Sequence, residues 1–143
     1  MLKFVLPTAL IALAGCSVYA DASPGQSQAA LSDKAQRALQ GRAIGEPVSC
    51  VTTRNIRKTD AVTDRVVLFH MNNGRTYRND LPHSCPQLTR NGSAFSYRTT
   101  TSQLCAVDIV QVSEPSTGFG YGACTLGKFT RYELPEGVNR NSL

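Results

Sequence analysis

The sequence predicts an all-β fold, a small antiparallel barrel or sandwich of five to six short strands, preceded by a signal peptide, a disordered tether and one short helix. Runs of β-branched and apolar residues such as "RVVLFHM" and "AVDIVQV" are typical of strands, and Asn-Gly pairs mark the turns. No strong helical pattern occurs from residue 48 to residue 133. Four cysteines in this range indicate that disulfides support a small core.

The first 15 residues predict a signal peptide. Lys3 precedes the apolar run "FVLPTALIALA", which has the length of a signal-peptide core and is too short to remain in a bilayer as a spanning helix. We therefore expect export, and any lasting membrane attachment must come from another feature.

That feature is the stretch "LAGC" at residues 13–16. It resembles the lipobox of bacterial lipoproteins, in which the leader is cut before the cysteine and the cysteine carries the lipid. Cys16 is thus the predicted lipidation site, and acyl chains there would anchor the protein stably. The alternative is cleavage after "VYA", before Asp21, which would give a soluble periplasmic or secreted protein.

Residues 16–30 are small and polar and predict a lipidated, flexible tether. Residues 31–41 predict a short helix that Ser32 caps and Gly41 ends. Its apolar face would consist of Leu31, Ala35, Ala38 and Leu39.

Within the β domain, predicted over residues 48–133, Asn73 and Gly74 indicate a two-residue type I′ turn between two antiparallel strands. A turn of this length would place Met71 opposite Thr76, His70 opposite Tyr77 and Phe69 opposite Arg78. "AVDIVQV" predicts a further strand, "GFGYGAC" a glycine-rich flexible connection, and "KFTRYEL" the last strand. Residues 134–143 are predicted to be a flexible tail.

Four cysteines allow three pairings. If "AVDIVQV" and "KFTRYEL" are antiparallel neighbours, Cys105 and Cys124 lie near opposite ends of the pair, too far apart for a disulfide. This geometry favours Cys85 with Cys105 and Cys50 with Cys124, and a bond between Cys50 and Cys85 is the alternative.

The charge pattern argues against nucleic acid as a partner. The formal net charge is +5, and removal of Lys3 with the leader would lower it by one. The basic residues in the middle of the chain alternate with Asp60, Asp64 and Asp80, which is typical of a solvated surface.

We find no pattern of residues that indicates a catalytic, metal or cofactor site. His83 and Cys85 lack the paired spacings of zinc modules, and Ser84 lies in no nucleophile elbow. His70 is expected to have a packed or surface structural role. The enzyme hypothesis, an activity on an envelope polymer, would depend on Asp80, His83 and Asp108.

Phe119 and Tyr121 lie in the glycine-rich stretch and form a candidate partner surface, since exposed aromatic residues on loops often mark interfaces.

The series "GRAIGEPVSC", "FHMNNGRTYRNDLPHSCPQL", "LCAVDIVQV" and "CTLGKF" resembles a family of short exported bacterial proteins of unknown function, which are predicted lipoproteins. The resemblance covers about residues 41–129. It implies an exported, disulfide-containing β domain in which Cys50, Cys85, Cys105 and Cys124 are structural, and it implies no activity.

Together these observations predict a lipid-anchored periplasmic lipoprotein that works as a binding or accessory module. Its expected contacts are the membrane, through the anchor, and an envelope protein or glycan. In the bacterial lipoproteins that "LAGC" resembles, a non-acidic residue after the lipidated cysteine goes with sorting to the outer membrane, so Ser17 implies this location in a Gram-negative host. No cofactor is expected.

Overall fold

The computed structural model describes residues 32–90, 93–141 and 143. Within these ranges the chain forms one helix, ten strands and two short 3-10 turns. The predicted signal peptide, the tether and Cys16 lie outside the described residues. The helix and strands are α1 (Asp33–Ala38), β1 (Arg42–Val48), β2 (Cys50–Thr52), β3 (Ile56–Ala61), β4 (Val66–Met71), β5 (Thr76–Asp80), β6 (Ala94–Tyr97), β7 (Gln103–Cys105), β8 (Ile109–Ser113), β9 (Gly120–Thr125) and β10 (Phe129–Glu133).

The strands form three antiparallel sheets, which confirms the all-β class. The largest sheet has the order β1-β10-β5-β4-β3, and the two smaller sheets have the orders β2-β7 and β6-β8-β9. Each described sheet ends in two edge strands, so none of them closes into a barrel. Of the two expected architectures, barrel and sandwich, the structure therefore has the layered one. The strands are more numerous than the five to six predicted, and the first begins at Arg42, before the predicted boundary at residue 48.

Strand β4 lies between β5 and the edge strand β3 of the five-stranded sheet, and all six of its residues are buried. Side chains alternate between the two faces of a strand, so β4 contributes to two separate hydrophobic clusters. Val67, Phe69 and Met71 belong to the larger cluster, together with residues of the two small sheets. Val66 and Leu68 belong to the smaller cluster on the opposite face.

Helix α1 covers part of that opposite face. Ser32 caps it as predicted, since its hydroxyl accepts a hydrogen bond from Ala35 N at 3.2 Å. The helix is shorter than the predicted span of residues 31–41 and buries Ala38, whose carbonyl accepts a hydrogen bond from the Tyr132 hydroxyl at 3.0 Å. No helix in the described part of the chain is long and apolar enough to cross a membrane.

The chain after β10 covers the rest of this face. Leu134 and Leu143 pack against the smaller cluster, Lys58 Nζ donates to the backbone oxygen of Leu143, and Arg57 donates to Asn141 Oδ1 at 2.9 Å. The sequence predicted a flexible tail over residues 134–143. These contacts instead attach the segment to the five-stranded sheet at several points.

The β4–β5 hairpin forms where predicted, but the predicted turn type and register are wrong. Gly74 N donates to Met71 O and Met71 N donates to Arg75 O, so the loop holds three residues rather than two. Gly74 takes the left-handed backbone conformation, with φ of 82°, that ends such a loop. The additional loop residue shifts the register by one. The observed partners are His70 with Thr76, Phe69 with Tyr77 and Leu68 with Arg78.

The glycine-rich stretch that was predicted to be a flexible connection forms most of strand β9. Its partner is β8, where Val110 faces Cys124 and Gln111 faces Ala123. The last strand, β10, joins the five-stranded sheet between β1 and β5 and does not pair with β8.

The turn between β9 and β10 is attached to β5 by Asn79, which is completely buried. Its amide donates to Gly127 O at 2.7 Å and accepts from Gly127 N at 2.8 Å. A Cβ atom at position 127 would lie 2.0 Å from Asp80 O, so only glycine permits this close approach.

The cysteines pair as Cys50–Cys105 and Cys85–Cys124, so both the favoured pairing and its alternative are wrong. The prediction assumed that Cys105 opens the strand beside "KFTRYEL". Cys105 instead ends β7, directly opposite Cys50 on β2, with 4.0 Å between their Cα atoms. Val107, with φ of 70°, separates Cys105 from β8. The two disulfides indicate an oxidising, extracytoplasmic environment, as expected for an exported protein.

We predict that Phe69→Ala lowers the free energy of unfolding by about 3–5 kcal/mol, because it leaves a cavity in a closely packed core. Phe69 is fully buried and contacts Phe95 and Phe129 edge to face. The matched control is Phe119→Ala, at a side chain 65% exposed, which should change stability by less than about 0.5 kcal/mol. Urea unfolding of the oxidised proteins measures both, and equal losses would contradict the described core.

Candidate functional site

Phe119, Tyr121 and Arg90 form an organised group at the surface, which we call the aromatic corner. The Phe119 and Tyr121 rings meet edge to face, with centroids 5.8 Å apart and an interplanar angle of 66°. The guanidinium of Arg90 lies over the Tyr121 ring, 4.8 Å from its centroid. Phe119 is nevertheless 65% exposed. Tyr121 is partly buried against the larger hydrophobic cluster, so it holds the exposed Phe119 ring in a defined arrangement.

The loop between β8 and β9 holds Phe119 in place. Glu114 N donates to Phe119 O at 2.9 Å, and Phe119 N donates to Thr117 Oγ1 at 3.2 Å. The Glu114 carboxylate accepts hydrogen bonds from Thr117 and Ser116, at 2.8 and 3.0 Å, and these bonds lower its pKa. The loop is therefore tied by its own polar groups, and it presents Phe119 at a fixed position.

The aromatic corner adjoins an edge strand. In the order β6-β8-β9, strand β9 pairs with β8 on one side and has no strand beside it on the other within the described chain. Gly120, Gly122 and Ala123 are exposed on it and carry little or no side chain. An edge of this kind offers backbone donors and acceptors to an extended segment of another protein.

Phe119 and Tyr121, the candidate partner surface predicted from the sequence, are in contact in the structure. Arg90 also belongs to this surface, and the sequence analysis missed it. Arg90 follows the 3-10 turn Pro86–Thr89 and is 31 positions before Tyr121 in the sequence. Only the fold brings the two together. A cation above an aromatic ring leaves no periodic pattern in a sequence, so no signal was available to find it.

The residues of the enzyme hypothesis have separate local partners. Asp80 pairs with Arg78 at 2.6 Å, and Asp108 accepts a hydrogen bond from Cys105 N at 2.7 Å. His83 is exposed, and Ser84 donates to Asp64. No contact within the described chain joins Asp80, His83 and Asp108. Nor do the described residues include a group of three or more His, Cys, Asp or Glu side chains that could hold a metal ion.

A buried polar cluster that the sequence analysis missed lies on the α1 side of the five-stranded sheet. His70 is fully buried, with Nδ1 3.0 Å from Thr76 Oγ1 and Nε2 3.0 Å from Asp60 Oδ2. The His70 Nε2 and Asp60 Oδ2 atoms do not meet the angular criteria for a hydrogen bond, so they form a close polar contact. Lys58 Nζ lies 2.9 Å from Asp60 Oδ1. The predicted register hid this cluster because it placed His70 opposite Tyr77.

Hydrolases use a hydroxyl, an imidazole and a carboxylate in this order, but burial argues against such chemistry here. Thr76 is 4% exposed and His70 is not exposed at all. The imidazole is closed to solvent and Thr76 is nearly so, and the cluster is best explained as a structural link between β3, β4 and β5.

Asp60 is the group in this cluster whose ionisation links stability to pH. Burial opposes its charge, but the neighbouring His70 and Lys58 together outweigh burial and hold the pKa of the Asp60 carboxyl below its usual value. A lowered folded-state pKa stabilises the fold above the unfolded pKa of about 3.9. This contribution disappears as the pH falls through the folded-state pKa.

We therefore predict that the free energy of unfolding of Asp60→Asn falls less steeply than that of the wild type between about pH 5 and pH 2. Lys58→Gln should also flatten the curve, because it removes one of the groups that lower the pKa of Asp60. Urea unfolding at a series of pH values measures both slopes. Identical slopes in Asp60→Asn and the wild type would contradict this role.

The chain matches no protein-family model, no curated protein and no solved structure. The resemblance to exported bacterial proteins thus stays a prediction from the motifs, and the geometry above is the basis for a function.

Proposed function

We propose that the protein is a lipid-anchored binding module of the bacterial cell envelope. Lipidation of Cys16 would hold it at the periplasmic face of the outer membrane, and the aromatic corner with strand β9 would contact a partner protein. The anchor is supported by the sequence "LAGC" after an apolar leader, and the oxidising compartment by two disulfides.

The observation that carries the binding function is the arrangement of Phe119. An isolated exposed apolar side chain needs no explanation, but here the ring packs against Tyr121, and Arg90 covers Tyr121 in turn. Aromatic residues and arginine are the residue types enriched where protein interfaces bind most strongly. Because the loop fixes Phe119 beforehand, a partner would lose less conformational freedom on binding.

The adjacent edge strand favours a protein over a glycan as the partner. An extended segment could pair with the backbone of β9 while Phe119 and Tyr121 contact its side chains. The register of β9 against β8 is irregular between Gly120 and Gly122 and regular from Gly122 to Thr125, so the segment would pair with this second part of the strand.

Photocrosslinking in intact envelopes tests this proposal. We predict that p-benzoylphenylalanine at position 119 of the full-length, lipidated protein gives a discrete protein adduct. The matched control carries the same group at position 107, where Val107 is 78% exposed beyond the opposite end of β8. The control should give no such adduct.

Equal adducts at both positions would show nonspecific contact and contradict the proposal. The absence of any protein adduct at position 119 would contradict it as well, provided that the variant still forms the Cys50–Cys105 disulfide.

A further inference from the structure

A second surface, unrelated to the aromatic corner, lies beside the tip of the β4–β5 hairpin. It is a groove of about 820 Å³ between the hairpin tip, the end of β10 and residues 137–140. Its volume is in the range of sites that bind small molecules. A smaller groove of about 170 Å³ adjoins it and shares Gly74, Asn139 and Arg140.

Arginines dominate the charge of these grooves. Arg75, Arg131 and Arg140 line the larger groove, and Arg57 and Arg140 line the smaller one. In the described chain, none of these four has a carboxylate within 4.0 Å, since the ion pairs involve other basic residues. These arginines therefore concentrate positive charge at this surface, without an ion-pair partner among the described residues.

Two of these arginines are held by neutral groups. Arg140 donates to the carbonyl of Gly74, and Arg57 donates to Asn141 Oδ1 at 2.9 Å. A neutral acceptor fixes the direction of a guanidinium without cancelling its charge. Arg75 and Arg131 are exposed. Among the described residues that line the two grooves, the acidic one is Glu133, which is paired with Arg42 at 2.9 Å.

Asparagine amides complete the site. Asn73 and Asn139 line the larger groove, and Asn72 and Asn141 line the smaller one. Guanidinium groups match the geometry of phosphate and carboxylate oxygens, whereas amides donate to and accept from hydroxyl groups. A groove with both sets suits a molecule that carries negative charge and several hydroxyls.

We propose that the groove beside the β4–β5 hairpin binds an anionic saccharide, a sugar that carries phosphate or carboxylate groups. The arginines would bind the charged groups. The exposed Asn72 and Asn73 would bind ring hydroxyls through the amide atoms that do not contact Arg54 O and Arg75 N. This function goes beyond partner binding at the aromatic corner and uses none of its residues.

Calorimetric titration of the full mature protein tests the site, with trigalacturonate and glucose 6-phosphate as charged probes. Uncharged galactotriose and glucose are the matched controls. We expect binding of at least one charged probe and no binding of its uncharged counterpart. Because a hydrogen bond to a charged group contributes about 1.5–3 kcal/mol, Arg75→Gln and Arg131→Gln should each weaken that binding about tenfold or more.

Arg98→Gln is the control variant, since Arg98 is exposed, lies outside both grooves and has the same charge. It should change the affinity by less than about twofold. All three variants should unfold at the same urea concentration as the wild type, because none of these side chains is buried.

Three results would overturn the proposal. One is the absence of binding for both charged probes. Another is equal weakening by Arg98→Gln and the groove variants, which would show a general attraction to the basic protein. The third is binding of soluble dihexanoylphosphatidylglycerol, lost in the groove variants, without binding of either sugar, which would assign the groove to a lipid phosphate.

Discussion

The burial of strand β4 on both faces is the constraint on which the rest of the structure depends. Its side chains extend into two hydrophobic clusters, so each face of the five-stranded sheet needs a cover. The two small sheets cover one face, and α1 with the chain after β10 covers the other. Both proposed binding surfaces belong to these covers: the aromatic corner to a small sheet, and the groove to the segment that folds back over the hairpin tip.

The disulfides stabilise the cover that carries the aromatic corner. A sheet of two short strands has marginal stability alone. Cys50–Cys105 joins the two strands of one small sheet, and Cys85–Cys124 joins β9 to the chain that follows β5. Cys124 lies three positions after Tyr121, so the covalent bond fixes the same strand that presents the aromatic rings. An oxidising environment therefore supports both the fold and the geometry of the proposed contact surface.

Sequence patterns predicted the all-β class, the Ser32 cap and the β4–β5 hairpin, since each depends on local chemistry. They failed where the outcome depends on one residue of register or on distant packing. "NNG" is compatible with a two-residue and a three-residue loop. The predicted two-residue loop gave a register one residue off, and in that register the contacts of His70 with Asp60 and Thr76 could not be seen. The predicted cysteine pairing was wrong because Cys105 ends β7 opposite Cys50 and does not open β8. Phe119 and Tyr121 were recognisable as aromatics in a glycine-rich stretch, whereas Arg90 and the arginine groove arise only from the folded chain.

We propose that an anchored, disulfide-stabilised domain works at a membrane surface. The most direct measurement is the intact mass of the native, untagged protein extracted from membranes without reductant. We predict the mass of the chain from Cys16 with acyl groups and without the four hydrogens lost in forming two disulfides. A chain that begins at Asp21 and carries no lipid would contradict the anchor. A mass that retains the four hydrogens would contradict the disulfides.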